Sequence, residues 1–245
     1  MIFGLIGKKL SHSFSKSYFE SKFSDLNLPH EYLLFELNDI AEISKIKKLY
    51  PKLLGLNVTI PFKTQVIQYL DELDIAAKEI GAVNTILFHN GVSKGFNTDA
   101  IGFEKSLMNF YSHKSGKKIL VLGNGGSSKA VQYVLRKKGY EFIVVSRINS
   151  NECITYSKLN QSLISDCSLI INTTPVGMFP EIGSLLPITS FHYTPEQCYF
   201  DLIYNPEKTS TANKLESKDV RIKNGLEMLK LQADASWEIW SEVIA

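Results

Sequence analysis

An apolar run that leads into a glycine turn is the feature that most restricts the fold of this chain. Lys118–Gly123 reads KILVLG, and Gly125 and Gly126 follow at once. A continuously apolar strand is typical of a parallel sheet covered by helices on both faces. A glycine turn between such a strand and a helix leaves backbone N–H groups free to bind phosphate. The sequence therefore predicts an α/β fold with a dinucleotide site at Gly123, Asn124, Gly125, Gly126 and Ser127.

Length and charge limit the possible classes of protein. At 245 residues with 44% hydrophobic content, the chain is expected to form two domains of ~100–150 residues each. A net charge of +2 argues against a nucleic acid or a membrane surface as partner. The three cysteines lack CxxC spacing, which indicates neither a metal site nor a disulfide framework. With no long apolar run and no basic leader, a cytoplasmic protein is expected.

The pattern of apolar residues predicts two series of alternating strands and helices. In the first series we expect strands at 3–7, 31–37, 54–59, 83–88 and 92–96, with helices near 15–26, 40–50 and 73–80. Asn90-Gly91 predicts a hairpin between the last two strands. In the second series we expect strands at 117–123, 141–146, 168–174, 198–204 and 220–223, with helices near 98–111, 126–138 and 225–244.

Three polar clusters in the first hundred residues suggest a site for a small anionic, hydroxyl-rich ligand. They are Asn57–Lys63, Gly81–Thr85 and Gly95–Asp99, and each is expected to follow a short apolar strand. We expect Lys63 to lie at the start of a helix that begins at Pro61. Lys63 and Asp99 are expected to end adjacent strands of one sheet.

A series of motifs shared in order with one family extends over nearly the whole chain. They run from Ser11-His12-Ser13-Phe14-Ser15 to Gly225–Ala233. On these motifs the chain resembles the shikimate dehydrogenases. The resemblance implies a catalytic domain at 1–99 plus 228–245, with a mostly parallel sheet, and a Rossmann-type NADP-binding domain at 100–227. It further implies reversible NADPH-dependent reduction of 3-dehydroshikimate to shikimate, in the pathway to chorismate and the aromatic amino acids. No metal is implied, and the protein is expected to be a monomer or homodimer.

The resemblance assigns roles to particular residues. Lys63 matches the general acid/base of the family and Asp99 its partner, as a ketone reduction needs both a proton and a positive charge beside the developing alkoxide. Ser13 and Ser15 are expected to project from one side of an extended segment and bind a carboxylate. The ring hydroxyls of the substrate would contact the catalytic pair and four further residues, which are Thr59, Asn84, Tyr204 and Gln232. His12 is given no chemical role.

The predicted cofactor residues each lie near the end of a strand of the second series. The strand ending at Ser146 is followed by Arg147, where an NAD enzyme usually carries an acidic residue. A guanidinium binds a 2′-phosphate through charge-assisted hydrogen bonds, so NADP is favoured over NAD. By resemblance, the nicotinamide side is lined by Thr173, Leu202 and Gly225. Two departures from the family pattern are Lys16 in place of proline and Asn124 in place of alanine.

Other interpretations remain open at this stage. Lys63 and Arg147 are compatible with ordinary surface positions, and Asp99 with the first turn of a helix. An NAD-dependent quinate/shikimate dehydrogenase is an alternative, which Arg147 argues against. A catalytically inactive ligand-binding protein with the same fold is a second alternative, although the chain retains Lys63 and Asp99. A methylenetetrahydrofolate-type dehydrogenase would leave the Ser13/Ser15 pair unexplained.

Overall fold

The structure is a computed structural model that describes residues 1–10, 13–148 and 152–244. Two compact units make up the chain. Unit 1 comprises Met1–Ile101 and Gln232–Ala245, and unit 2 comprises Gly102–Leu231. Ser11 and His12 of the first family motif lie outside the described residues. Among the helices of the described ranges, none is long and apolar enough to span a membrane.

Helices follow the predicted pattern closely, with α4 and α8 each running through a boundary between the units. The α-helices are α1 (Phe14–Asp25), α2 (Ile43–Leu49), α3 (Ile75–Ile80), α4 (Thr98–Phe110), α5 (Gly126–Lys137), α6 (Gln161–Asp166), α7 (Ser210–Glu216) and α8 (Leu226–Ser241). The sequence reading did not include α6 and α7, which are one to two turns long and carry little periodic signal. Both begin at a side-chain cap, supplied by Asn160 and Thr209.

Unit 1 contains a six-stranded mixed sheet. Its strands are β1 (Ile2–Gly7), β2 (Glu31–Glu36), β3 (Leu53–Val58), β4 (Glu72–Leu73), β5 (Thr85–His89) and β6 (Val92–Phe96). Their order across the sheet is β2-β1-β3-β5-β6-β4. β1 pairs in parallel with β2 and β3, as the alternating pattern predicts, whereas β5 is antiparallel to β3 and β6. Asn90 and Gly91 turn the predicted hairpin with φ of 49° and 82°.

The C-terminal half of α8 belongs to unit 1 because it packs closely on the sheet. Trp240 is fully buried and its indole Nε1 donates a 2.9 Å hydrogen bond to the carbonyl of Ile86. A Cβ on Gly55 would lie 2.3 Å from that same nitrogen. Glycine in β3 therefore allows the indole to lie directly against the strand, which fixes the helix that carries Gln232.

Unit 2 contains a six-stranded parallel sheet. Its strands are β7 (Lys118–Leu122), β8 (Phe142–Ser146), β9 (Ile154–Thr155), β10 (Cys167–Asn172), β11 (Cys198–Asp201) and β12 (Arg221–Lys223). They lie in the order β12-β11-β10-β7-β8-β9. β7 and β10 are buried almost throughout, as their apolar sequences predict. The order reverses between β7 and β10, and doubly wound sheets bind their ligands at such a point. The predicted α/β fold class is confirmed.

The predicted helix at Pro61 is wrong. Residues 60–64 form turns, and a short 3-10 helix begins only at Gln65. The carbonyl of Lys63 accepts the backbone N–H of Val83 at 2.7 Å. An α-helix would need that carbonyl for the residue four positions later, so this tertiary hydrogen bond replaces the helical one. Similarly, Leu73 belongs to β4, and α3 starts two residues later at Ile75.

Candidate active site and cofactor site

The polar clusters of unit 1 meet at one edge of its sheet. β3 and β6 end at this edge, and β5 begins there because it runs antiparallel to both. Two expectations need correction. The Gly81–Thr85 cluster follows α3 and leads into β5, which begins at Thr85, and the strands before Lys63 and Asp99 are separated by β5. The antiparallel strand brings the clusters together without making β3 and β6 neighbours.

Lys63 and Asp99 form an ion pair. Lys63 Nζ lies 2.6 Å from Asp99 Oδ2, and the two side chains are only 14% and 9% exposed. Asp99 occupies the first turn of α4, where the helix dipole stabilises a carboxylate. Removal of either partner would leave a poorly solvated charge behind. The pair thus presents an ammonium group whose position is fixed by a carboxylate.

Asn84 connects this ion pair to α8. Its Nδ2 donates to Asp99 Oδ1 at 3.0 Å and to Gln232 Oε1 at 3.2 Å, and its Oδ1 accepts the backbone N–H of Thr98 at 2.6 Å. These partners fix the orientation of the amide. Asn84 and Gln232 are 2% and 8% exposed. Thr59 lies half-buried just after β3, where its backbone N–H donates to the Ile6 carbonyl.

A buried hydroxyl of α8, that of Ser236, was not predicted for the site but contacts polar groups from all three predicted clusters. Ser236 Oγ lies 2.8 Å from Thr85 Oγ1 and 3.1 Å from Thr98 Oγ1, and it accepts a 3.0 Å hydrogen bond from Asn57 Nδ2. One signal in the sequence pointed to it. Ser236 follows Gln232 by four residues on the same helix, which places both on one face.

Ser13 and Ser15 do not lie in an extended segment, which corrects the geometry predicted for them. Ser13 is the N-cap of α1 and Ser15 lies in its first turn. Because a helix turns by about 100° per residue, the alternation of an extended strand does not apply. The Ser13 side chain makes no capping hydrogen bond, and within the described ranges its buried Oγ has no hydrogen-bond partner. Such a group is unusual and suits a ligand.

α1, which carries Ser15, packs against β2, whose Tyr32 is only 2% exposed. Burial raises the pKa of the Tyr32 hydroxyl well above its usual range, so this group stays protonated. The Tyr32 hydroxyl donates a 2.7 Å hydrogen bond to Asn57 Oδ1.

The glycine turn of unit 2 joins β7 to the start of α5. Gly123 has φ of +105°, and a Cβ there would lie 2.6 Å from Thr173 Oγ1. Gly125 is the N-cap of α5, and apart from its chain neighbours no described residue lies within 4 Å of a Cβ placed there. Ser127 lies in the first turn of the same helix. Asn124 is exposed beside the turn, and its Oδ1 accepts a hydrogen bond from Gln132 Nε2 at 3.3 Å.

Three other predicted cofactor residues follow strands at the same edge of this sheet. Thr173 follows β10, and its Oγ1 donates to the Leu122 carbonyl at 2.7 Å, which links the two strands where their order reverses. Leu202 follows β11, and Gly225 follows β12 by two residues. A Cβ on Gly225 would lie 2.1 Å from the carbonyl oxygen of Leu202, so only glycine fits.

The buried carboxyl group of Asp201 in unit 2 holds the end of β10 and the turn that follows β11. Asp201 is 2% exposed and accepts hydrogen bonds from Asn172 Nδ2, Thr209 Oγ1 and the Ile203 backbone N–H. Burial raises the pKa of Asp201. Tyr204, expected at the substrate, also belongs to unit 2, and burial raises the pKa of its hydroxyl.

Arg147 lies exposed one residue after β8, and Ser146 ends that strand. Ser146 Oγ accepts the backbone N–H of Ile148 at 3.3 Å. The open glycine turn and the exposed guanidinium both fit a dinucleotide that carries a 2′-phosphate. Among the described residues, no group of three or more His, Cys, Asp or Glu side chains is arranged to hold a metal ion.

Comparisons with known proteins agree on one family. Residues 5–86 match the model of the shikimate dehydrogenase substrate binding domain. A shikimate dehydrogenase (NADP(+)) from Methanococcus vannielii is 34% identical, with 98% of this chain and 91% of the relative aligned. The Dehalococcoides mccartyi protein of the same name is 37% identical, with 98% of this chain and 90% of that relative aligned.

A solved structure supports the same assignment. The shikimate 5-dehydrogenase of Thermus thermophilus, in complex with NADP(H) and shikimate, is 27% identical and superposes with a TM-score of 0.87, covering 99% of this chain and 94% of that one. Since the identity to the curated relatives exceeds 30% over almost the full length, the chain belongs to the shikimate dehydrogenase family.

Proposed function

We propose that this protein catalyses the reversible, NADPH-dependent reduction of 3-dehydroshikimate to shikimate, a step toward chorismate and the aromatic amino acids. The observation that carries the proposal is the ion pair of Lys63 and Asp99, 2.6 Å apart and mostly shielded from solvent. Family membership supports the same reaction, because the curated relatives are named NADP-dependent shikimate dehydrogenases.

Lys63 acts as the general acid/base of the reaction. In the reductive direction, the carbonyl carbon gains a hydride and its oxygen gains a proton from Lys63 Nζ. The ammonium also stabilises the negative charge that develops on that oxygen before the proton arrives. Asp99 holds the ammonium in place, and Asn84 holds Asp99 through its other carboxylate oxygen.

The substrate is bound by unit 1 through uncharged donors and acceptors. The Ser13 hydroxyl has no hydrogen-bond partner within the described ranges and, with Ser15, suits the substrate carboxylate. Thr59, Asn84 and Gln232 suit the ring hydroxyls, since their hydroxyl and amide groups both donate and accept. We assign Tyr204 of unit 2 to the same ligand. Unit 1 is therefore the catalytic domain.

NADP is assigned to unit 2, and when bound it supplies the hydride donor or acceptor. Its pyrophosphate would be held by the glycine turn, Gly123 to Ser127, at the start of α5. Ser146 and Arg147 would hold the 2′-phosphate, and the nicotinamide side would be lined by Thr173, Leu202 and Gly225.

The test is a spectrophotometric assay in the oxidative direction. Purified protein is mixed with shikimate and either NADP⁺ or NAD⁺, and reduction of the cofactor is followed by absorbance. We expect turnover with NADP⁺ and a much lower kcat/KM with NAD⁺. Calorimetric binding of shikimate without any turnover would instead favour a silent ligand-binding protein. A preference for NAD⁺ with quinate would favour a quinate/shikimate dehydrogenase.

We further propose that the protein works in the cytoplasm as a monomer or homodimer. All three cysteines are buried, and Cys167 and Cys198 are free thiols, which suits a reducing compartment. Sedimentation of the purified protein over a range of concentrations distinguishes the two oligomeric states, and a larger assembly would contradict both.

A further inference from the structure

The side chain of Asn124, in the glycine turn of unit 2, is oriented by a chain of hydrogen bonds along α5. Arg136 Nη2 donates to Gln132 Oε1 at 3.1 Å. Gln132 Nε2 donates to Asn124 Oδ1 at 3.3 Å and to Ser128 Oγ at 3.0 Å. The Ser128 hydroxyl donates in turn to the Gly123 carbonyl at 2.7 Å. Gln132 and Ser128 are 7% and 0% exposed, so the side chains that hold Asn124 are buried parts of the helix.

The donor and acceptor roles in this chain fix the orientation of the Asn124 amide. A guanidinium only donates hydrogen bonds, so the Gln132 atom that faces Arg136 is the oxygen. The nitrogen of Gln132 therefore faces Asn124, which must present its own oxygen as the acceptor. The NH2 group of Asn124 is then directed away from Gln132. It makes no hydrogen bond within the part of the chain that the structure describes, and two N–H donors of an exposed side chain remain for a ligand.

Asn124 lies among backbone groups that favour an anion. It is placed between Gly123, which has φ of +105°, and Gly125, the N-cap of α5. The first N–H groups of a helix have no partner within the helix, and together with the helix dipole they attract negative charge. Apart from its chain neighbours, no described residue would approach a Cβ at Gly125 within 4 Å. A ligand can therefore come close to the backbone here, with the Asn124 amide beside it.

We propose that the Asn124 side chain binds the cofactor, with Nδ2 donating a hydrogen bond to the pyrophosphate, and that Gln132 is the residue that positions it. This deepens the proposed function and rests on it, because that function places the pyrophosphate at this turn. The family pattern has alanine at position 124, which offers no such donor. NADP and NAD carry the same pyrophosphate, so Asn124 contributes equally to both cofactors, in contrast to Arg147.

The experiment measures dissociation constants by calorimetry without shikimate, so that it does not depend on turnover. The ligands are NADP⁺, NAD⁺ and adenosine 2′-monophosphate, which keeps the adenine and the 2′-phosphate but has no pyrophosphate. We expect Asn124→Ala to weaken NADP⁺ and NAD⁺ alike, roughly threefold to tenfold, the effect of one lost hydrogen bond. Binding of adenosine 2′-monophosphate should change less than about twofold. The matched control is Asn213→Ala, at an exposed position of α7 in unit 2, which should leave all three constants unchanged.

Asn124→Asp separates a contact with the pyrophosphate from a role in shaping the turn. The aspartate keeps an oxygen that accepts from Gln132, but it replaces the NH2 group by a second oxygen and adds a negative charge. We expect it to weaken NADP⁺ at least about threefold more than Asn124→Ala does, because like charges then lie close together. An Asn124→Asp variant that binds NADP⁺ as well as the parent would overturn the proposal. So would an unchanged NADP⁺ affinity in Asn124→Ala, or an equal loss for adenosine 2′-monophosphate.

A double-mutant cycle tests the role of Gln132. Gln132→Leu is expected to weaken NADP⁺ in the parent and to weaken it less in an Asn124→Ala background, because part of its effect passes through Asn124. Full additivity would contradict that positioning role.

Should Gln132→Leu fail to fold, NMR of the Asn124 side-chain amide, identified by its loss in Asn124→Ala, provides a further test. The signal is expected to shift with NADP⁺ but not with adenosine 2′-monophosphate, and no shift with NADP⁺ would overturn the proposal. A parent protein that binds neither dinucleotide would contradict the proposed function as well. A parent that binds both, with an Asn124→Ala variant that binds them equally tightly, would contradict only the role of Asn124.

Discussion

Lys63 Nζ and Asp99 Oδ2 lie 2.6 Å apart although the strands that precede these residues are not neighbours in the sheet. β5 lies between β3 and β6 and runs antiparallel to both. Its first residues therefore sit at the edge where the other two strands end, and Asn84 just before it bonds Asp99 directly. The reversed strand thus adds an amide to the ion pair, which two adjacent parallel strands would not have supplied.

Lys63→Ala is expected to abolish most of the turnover while shikimate still binds. The variant loses both the proton source and the positive charge beside the alkoxide, so kcat should fall by ~10²–10⁴-fold. Steady-state kinetics and calorimetry on the same sample check this, with circular dichroism to verify the fold. Lys45→Ala, at an exposed position of α2, is the control. Turnover within a few-fold of the parent would exclude Lys63 as the acid/base.

Arg147→Ala is expected to weaken NADP binding far more than NAD binding, because only NADP carries the 2′-phosphate. A hydrogen bond to a charged group contributes ~1.5–3 kcal/mol, or roughly tenfold to a hundredfold in affinity. Fluorescence titration with each cofactor measures the two dissociation constants. Equal weakening of both cofactors would show that Arg147 does not contact the 2′-phosphate.

Ser13→Ala is expected to raise the KM for shikimate without lowering the thermal unfolding midpoint. The hydroxyl has no partner within the described ranges, so its removal breaks no hydrogen bond in that part of the chain. NADP affinity should stay the same. Kinetics at saturating NADP⁺ and a thermal melt test both parts, and a lower midpoint with an unchanged KM would assign Ser13 a purely structural role.

Gly225→Ala is expected to destabilise the protein and weaken NADP binding. The new Cβ would lie 2.1 Å from the Leu202 carbonyl oxygen, so the backbone must move. Overpacking of this kind lowers the free energy of unfolding by ~1–3 kcal/mol. Gly183→Ala is the control, because a Cβ there would meet no other described residue within 4 Å apart from its two chain neighbours. Denaturant unfolding of both variants measures the difference, and equal stability would contradict the close approach.

The stability of the protein is expected to fall on acidification partly because of His30. Burial lowers the pKa of His30, whose ring lies against the rings of Phe3 and Phe23. The unfolded state takes up the proton first, near pH ~6.5. The contribution of His30 to the free energy of unfolding is therefore complete above that pH and decreases below it. Unfolding free energies measured across this range should depend less on pH in His30→Leu. An unchanged slope would exclude His30 as a cause.

Local sequence patterns were sufficient to predict most of the strands and the longer helices. The apolar run of β7 and the glycines after it predicted a buried strand and a helix start, and Asn90-Gly91 predicted the hairpin. These features depend on periodicity and backbone conformation within a few residues, which neighbouring residues largely determine. Pro61 shows the limit of such reasoning. A proline suits a helix start, but a hydrogen bond from Val83 to the Lys63 carbonyl excludes the helix there.

By itself, the sequence determined the α/β class, the residue types of the candidate site and the family that they resemble. Only the tertiary structure decided how those residues are connected. Asn57 and Ser236 are 179 positions apart and share a hydrogen bond, and Asn84 and Gln232 do so across 148 positions. Such contacts arise from the order and direction of strands and from burial, which no local pattern encodes.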